Sequence, residues 1–142
     1  MKVLGVVLVA LALVIGIVPH FTDCQSQGKA IALTNGKTTP MKCHWTGIGE
    51  LALAFPLFAV GAVEVAGRRK ETHRATSVLG IVLGAFVILL PTKLIGVCAA
   101  GMMGSTPLCN SVMSPTLQLA GGVVMAVGVL GLVLARGHDS LP

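Results

Sequence analysis

The amino-acid sequence predicts an all-α membrane protein, a bundle of four transmembrane helices under a small, disulfide-stapled extracytoplasmic cap, with residues 1–142 forming one membrane domain. Three observations carry that expectation. Four apolar stretches each approach the roughly 20 residues that a helix needs to cross about 30 Å of hydrocarbon. Hydrophobic residues make up 54% of the chain and charged ones 11%, with a mean hydropathy of +0.90, too little charge to cover a water-soluble surface. All four cysteines, Cys24, Cys43, Cys98 and Cys109, fall in the two segments that join the stretches on one side.

The helices are expected near residues 3–18, 46–66, 75–97 and 116–135. The first stretch is the shortest, and with Lys2 before it the chain opens like a signal peptide. The following Pro19-His20-Phe21-Thr22-Asp23-Cys24 holds no small-x-small cleavage site, and Asp23 stands where a lipoprotein carries a small residue before its acylated cysteine. The stretch is therefore expected to remain as a membrane helix. Arg68, Arg69, Lys70 and Arg74 crowd the short connection between the second and third stretches, and Arg136 follows the fourth. Basic residues at helix ends mark the cytoplasmic side. Both termini are thus expected in the cytoplasm, in a multi-pass protein of the cell membrane, with residues 19–45 and 98–115 as outer loops. Lys29, Lys37, Lys42 and Lys93 lie outside on this reading, so the bias rests on arginine. The net charge of +5 belongs to this topology and not to nucleic acid, because the basic residues form no face interleaved with aromatics.

Thiols in an oxidising compartment pair, and the simplest arrangement gives each outer loop its own bridge, Cys24 to Cys43 and Cys98 to Cys109, among three possible connectivities. Each closure is worth about 3 kcal/mol in the chain-entropy model. Within the first loop, Lys29-Ala30-Ile31-Ala32-Leu33 reads as a short strand and Thr34-Asn35-Gly36-Lys37 as the tip of a hairpin. Two sharper readings compete with the staple. Met41, Cys43, His44, Met102, Met103 and Met113, with His20, are soft donors for copper(I) or another thiophilic metal. A thiol–disulfide oxidoreductase working over a quinone is the other, although neither cysteine pair has the Cys-x-x-Cys spacing that lowers a thiol pKa.

Two carboxylates lie close to the apolar spans, where an unpaired charge is costly. Glu64 precedes Arg68 by four residues and is expected to pair with it near the cytoplasmic end. Glu50 is expected to meet Lys93 near the outer end. Gly80-x-x-x-Gly84 in the third helix and Gly121, Gly122 and Ala126 in the fourth predict close helix contacts, serving the bundle itself or a partner. Pro91 is expected to kink the third helix without ending it. The chain also reads as two parallel halves, each running helix, Pro, Cys, interval, Cys, helix.

Pro19-His20-Phe21-Thr22-Asp23-Cys24, Thr39-Pro40-Met41-Lys42-Cys43-His44-Trp45-Thr46-Gly47 and Pro107-Leu108-Cys109-Asn110-Ser111-Val112-Met113 together resemble a family of short prokaryotic membrane proteins catalogued as a domain of unknown function. The resemblance covers nearly the whole chain, and Met-Lys-Cys-His-Trp with the downstream Cys-Asn is its most specific part. It implies a four-helix membrane protein, often encoded beside the permease and ATPase subunits of an export-type ABC transporter, and it supplies no catalytic residues. The chain has no nucleotide-binding loop, no nucleophile–base pair and no continuous row of intramembrane polar groups. The expectation is therefore a non-enzymatic membrane protein without a cofactor, in contact with lipid, assisting a transporter permease or assembling with its own copies. Its outer residues His20, Asp23, Met41, His44 and Asn110 are the candidates for function.

Overall fold

The computed structural model describes residues 2–99 and 108–137. Four helical segments are long and apolar enough to cross a membrane: Lys2–Thr22, Lys42–Ala66, Lys70–Leu94 and Cys109–Gly137. The chain is a multi-pass membrane protein. We label α1 Lys2–Thr22, α2 Lys42–Ala66, α3 Lys70–Leu89 and α4 Ser114–Gly137. A π-helical turn, Leu90–Leu94, prolongs α3, and another, Cys109–Met113, leads into α4.

On the cysteine side the first, second and fourth helical segments outrun their apolar stretches, because hydropathy marks the hydrocarbon and a helix continues into the interface, whereas the third ends at Leu94, short of the expected 97, just before Gly96 turns at φ +80°. Pro19 does not end α1. It lies in the last turn, where Thr22 bonds back to the Val18 carbonyl and the Asp23 amide reaches the Pro19 carbonyl at 3.0 Å. The early start of α2 takes Cys43 and His44 into its first turn. At Pro91, which cannot donate to the ladder, the α-helix gives way to the π turn.

The helices associate chiefly as α1 with α2 and α3 with α4, matching the two halves read in the sequence. Each pair closes on glycine. A methyl group added at Gly61 would stand 2.9 Å from the Val9 amide nitrogen and 3.1 Å from the Gly5 carbonyl oxygen. One added at Gly121 would stand 2.9 Å from the Gly84 carbonyl oxygen. Without a hydrophobic force between helices in lipid, such backbone approach is what holds a bundle. Gly84 and Gly121 thus do what their sequence context predicts, whereas a carbon added at Gly80 or Gly122 would meet nothing within 4 Å.

The core is a single apolar cluster that runs from Leu8, Ala12 and Ile15 through Leu57, Val87, Leu117 and Val124 to Met113 and three of the cysteines. Phe55, Leu119, Val133 and Val3 point outward, as side chains facing lipid do. Between α1 and α2 the expected hairpin forms, pairing Ile31 with Thr39 and Ala32 with Thr38. Gly36, at φ +76°, makes its turn.

Candidate functional site

Four chain segments end or begin at one end of the bundle, and each delivers a cysteine. Cys24 follows the last turn of α1, Cys43 is the second residue of α2, Cys98 lies four residues past the first π turn, and Cys109 opens the second. Their four sulfurs lie within 4.8 Å of one another. Cys43 Sγ is 2.6 Å from Cys109 Sγ and 2.9 Å from Cys98 Sγ, while Cys24 Sγ is 3.6 Å from Cys109 Sγ and 3.9 Å from Cys98 Sγ. Cys24, Cys43 and Cys109 are buried and Cys98 is half-buried.

No disulfide joins any of the four, and in place of one staple in each loop there is a single cluster whose shortest distances cross between the loops. The expectation of separate loop closures counted separation along the chain. The helix ends bring the loops together instead.

The local chemistry differs from thiol to thiol. Burial pushes the Cys24 thiol up to about 12. Burial acts on Cys98 in the same direction, but hydrogen bonding with Cys43, Cys24 and Cys109 together outweighs it and holds Cys98 below the usual thiol range. Burial, with the neighbouring Cys109 and Cys98 thiols, pushes the Cys43 thiol up as well. A cation at the centre of the four would displace their protons, which is how metal ions bind thiols.

A second polar contact braces the cluster. His44 Nδ1 lies 3.0 Å from Asp23 Oδ2, and the Ser26 amide donates to Asp23 Oδ1 at 2.8 Å. A carboxylate only accepts, so His44 carries its proton on Nδ1. Asp23 and His44 each adjoin a cysteine, Cys24 and Cys43, so this contact ties the end of α1 to the start of α2 beside the sulfurs. Burial works against the charged form of Asp23, but the hydrogen bonds from His44 and Ser26 outweigh it and hold the carboxyl below its ordinary 3.8. A lowered carboxyl pKa adds stability that is present above pH 3.8 and is lost as pH falls below it through the folded value. Asp23→Ala is expected to cost about 1–3 kcal/mol by leaving His44 and the Ser26 amide without their acceptor, measured as a lower thermal midpoint in detergent at neutral pH.

Of the other candidate residues, Met41 precedes α2 and packs against the core cluster that contains the cysteines, and Met113 is fully buried within it. Asn110, half-buried, follows Cys109 in the π turn. His20 is exposed and makes an edge contact with Phe21. Met102 and Met103 lie outside the described residues.

Both predicted carboxylate pairs are corrected by the structure. Lys93 is exposed, and Glu50 is fully buried with no hydrogen-bond partner at either oxygen. Lys93 faces outward on its π turn while Glu50 faces the bundle interior. Glu64 turns to the start of α3, where His73 Nδ1 lies 2.7 Å from Oε1 and Thr76 Oγ1 donates to Oε2, leaving Arg68 exposed. Sequence reasoning missed His73 and Thr76. Their spacing of three on the amino-terminal turns of α3, facing a carboxylate across a short connection, was the available signal.

A family model described as a domain of unknown function (DUF4418) matches residues 2–134. No curated protein and no solved structure matches the chain.

Proposed function

The chain belongs to the DUF4418 family, and from that premise we propose that it is a non-enzymatic protein of the cell membrane that holds one thiophilic metal ion on Cys24, Cys43, Cys98 and Cys109. The observation that carries this reading is the convergence of four sulfurs, each from a different helix end, within 4.8 Å of one another. Two bridges need only two separate pairs, whereas a tetrahedral ion needs all four donors around one point. Zinc(II) with sulfurs at about 2.3 Å sets them about 3.8 Å apart, and the Cys24 distances of 3.6 and 3.9 Å bracket that edge. Cys43 would swing outward by about 1 Å to complete the shell. Zinc(II) is the ion we favour, with copper(I) the next in chemistry.

The arginine-rich connection Arg68 to Arg74 supports placing the thiol end outside and both termini in the cytoplasm. A loaded centre at that surface would act by being presented to a membrane partner. The resemblance in sequence makes a transporter permease the partner to test by copurification.

A second reading is favoured by one distance. At 2.6 Å, Cys43 and Cys109 are the nearest of the pairs given above, and bonding them would leave Cys24 and Cys98 to form a second bridge between the loops. An electron relay fits less well, because a Cys24 thiol held near 12 is a poor nucleophile at neutral pH.

The test is zinc(II) titration of reduced, chelator-treated protein, paired with the native mass of protein that was never reduced. One ion per chain with submicromolar affinity is expected, weakened at least 100-fold by Cys43→Ser. Binding no tighter than micromolar, or a native mass lower by four hydrogens with both bridges mapped, would overturn the metal reading.

A further inference from the structure

Beneath the sulfurs, α2 turns one stripe of residues inward: Cys43, Thr46, Glu50, Ala54 and Leu57 are all buried. The stripe starts polar and ends apolar. Thr46 donates to the Gly96 carbonyl at 2.8 Å, which ties α2 to the segment that carries Cys98. Glu50 comes one turn deeper, fully buried, with neither oxygen in a hydrogen bond. Seven residues of helix put it roughly 10 Å along the axis from Cys43. The chain closes over α2 on both sides at this level, with Pro19 against Gly47 and Leu90 against Gly49. Both π turns lie at this end, and such turns are frequent at functional sites.

An ionised carboxylate without a partner is far too costly in such a place, so Glu50 must hold a cation. The nearest available cation is a proton. Among the described residues, no basic side chain reaches it: α1 has Lys2 and His20 at its two ends, α3 and its π turn have basic residues only up to Arg74 and then the exposed Lys93, and α4 has only Arg136. On its own helix, Cys43 lies two turns above, and Glu64, occupied by His73 and Thr76, lies about four turns below. Beside Cys43 on α2, Lys42 is exposed and His44 is bonded to Asp23, so the buried group whose charge changes when a metal is loaded is the cluster of thiols.

We propose that Glu50 is a proton-binding site inside the bundle, linked electrostatically to the four-thiol centre so that a metal ion on the sulfurs and a proton on Glu50 are held together. The linkage rests on the metal reading; the proton site does not. The metal-free cluster, with Cys98 the thiol most easily ionised, carries at most about one negative charge, whereas four thiolates around zinc(II) carry a net charge of −2. At roughly 10 Å and an effective dielectric constant near 20, each unit of charge so added disfavours a carboxylate at Glu50 by about tenfold, and loading at pH 9, which adds about one, is worth about tenfold in all. Linkage is reciprocal, so a neutral residue at position 50 should strengthen metal binding by a similar factor wherever the native carboxyl would ionise.

Dicyclohexylcarbodiimide partitions into apolar regions and attacks protonated carboxyls, and the modified residue can be mapped by peptide mass. In the metal-free, reduced protein at pH 7, Glu50 is expected to be modified and Glu64, with both oxygens occupied, to be spared; Glu50→Gln should remove the label. At pH 9, zinc loading is expected to speed labelling of Glu50 about tenfold in the native chain and not at all in the Cys43→Ser, Cys109→Ser double variant. Glu50→Gln should bind zinc(II) about tenfold more tightly than the native chain at that pH. Absence of label on Glu50 in the metal-free protein would overturn the proton site. Labelling that ignores bound zinc, with affinity unchanged in Glu50→Gln, would overturn the linkage. Failure of zinc to bind would overturn the metal reading and the linkage together, while the labelling at pH 7 decides the proton site by itself.

Discussion

Gly121→Val is expected to dismantle the pairing of α3 with α4, and Gly122→Val, one residue further on, to leave it intact. The difference is where the added atoms go. At Gly121 a new Cβ would sit 2.9 Å from the Gly84 carbonyl oxygen, 2.7 Å from Ile88 Cγ1 and 3.2 Å from Val87 Cγ1. The Ile88 and Val87 carbons belong to side chains that can turn, but the Gly84 oxygen belongs to the backbone, so the helices must separate. Gly84 faces the reverse problem, with the Gly121 carbonyl oxygen at 2.9 Å and the Met125 amide nitrogen at 3.1 Å from its added carbon. The contact is thus glycine against glycine, and neither side has slack. Overpacking of this kind costs about 1–3 kcal/mol where side chains can adjust and more where backbone must move. In a membrane no hydrophobic force presses the helices back together. We expect Gly121→Val to lose its thermal transition in detergent or to elute as aggregate. Gly122→Val, with nothing within 4 Å of its added carbon, should keep the native midpoint to within about 0.5 kcal/mol. Equal behaviour of the two variants would contradict this account of the bundle.

How much of this was legible beforehand depended on whether a property is local to the chain. Spans are local, because hydropathy over about 20 residues reports the solvent each segment prefers, and all four helices stand where the apolar stretches do. The hairpin of residues 31–39 was also local, since Asn35-Gly36 encodes its own turn. Gly84 and Gly121 were legible as small residues, but which glycines make the close contact was not: Gly80, though buried, and the exposed Gly122 carry the same letter with nothing within 4 Å of an added carbon. Gly5 and Gly61 drew no notice, lacking a spaced partner within their own helices, although they make the equivalent contact between α1 and α2.

The site was legible in its parts and not in its assembly. The cysteines were found as two loop pairs, and the pattern of Pro, Cys, interval, Cys in each half invited a bridge within each. What joins them is the parallel arrangement of the halves, which sets the start of α2 beside the start of the α4 segment. Glu50 was recognised as costly where it stands, and Lys93 was assigned to it because both lie near the same membrane face. The two do lie at one level of the bundle, where Gly49 packs against Leu90 and Ile95, but their rotation about the helix axes differs, and rotation decides whether two side chains meet.

At the opposite end of the bundle, Glu64→Ala is expected to cost about 3 kcal/mol, the largest effect of any single polar substitution proposed for this chain. Two buried polar residues depend on one buried carboxylate: Glu64 is 3% exposed, His73 8% and Thr76 6%. His73 Nδ1 approaches Oε1 at 2.7 Å, and Thr76 Oγ1 donates to Oε2. Gly67, Arg68 and Arg69 are all that joins α2 to α3, so this contact fixes how the two halves meet. Removing the carboxylate leaves the imidazole N–H buried without an acceptor, a penalty of about 1–3 kcal/mol, and more if the imidazole is charged. Thr76 loses less, because its hydroxyl also lies 2.8 Å from the Thr72 carbonyl oxygen and can turn to it. Glu64→Gln keeps an oxygen for one of the two donors and should cost about 1 kcal/mol. A packing effect of the same size is separated by a double-mutant cycle. If the contact itself carries the energy, Glu64→Ala combined with His73→Ala should destabilise by about 1–3 kcal/mol less than the sum of the two single changes. Strict additivity of the two would mean that Glu64 and His73 stabilise the junction independently and that the carboxylate does not hold α2 to α3.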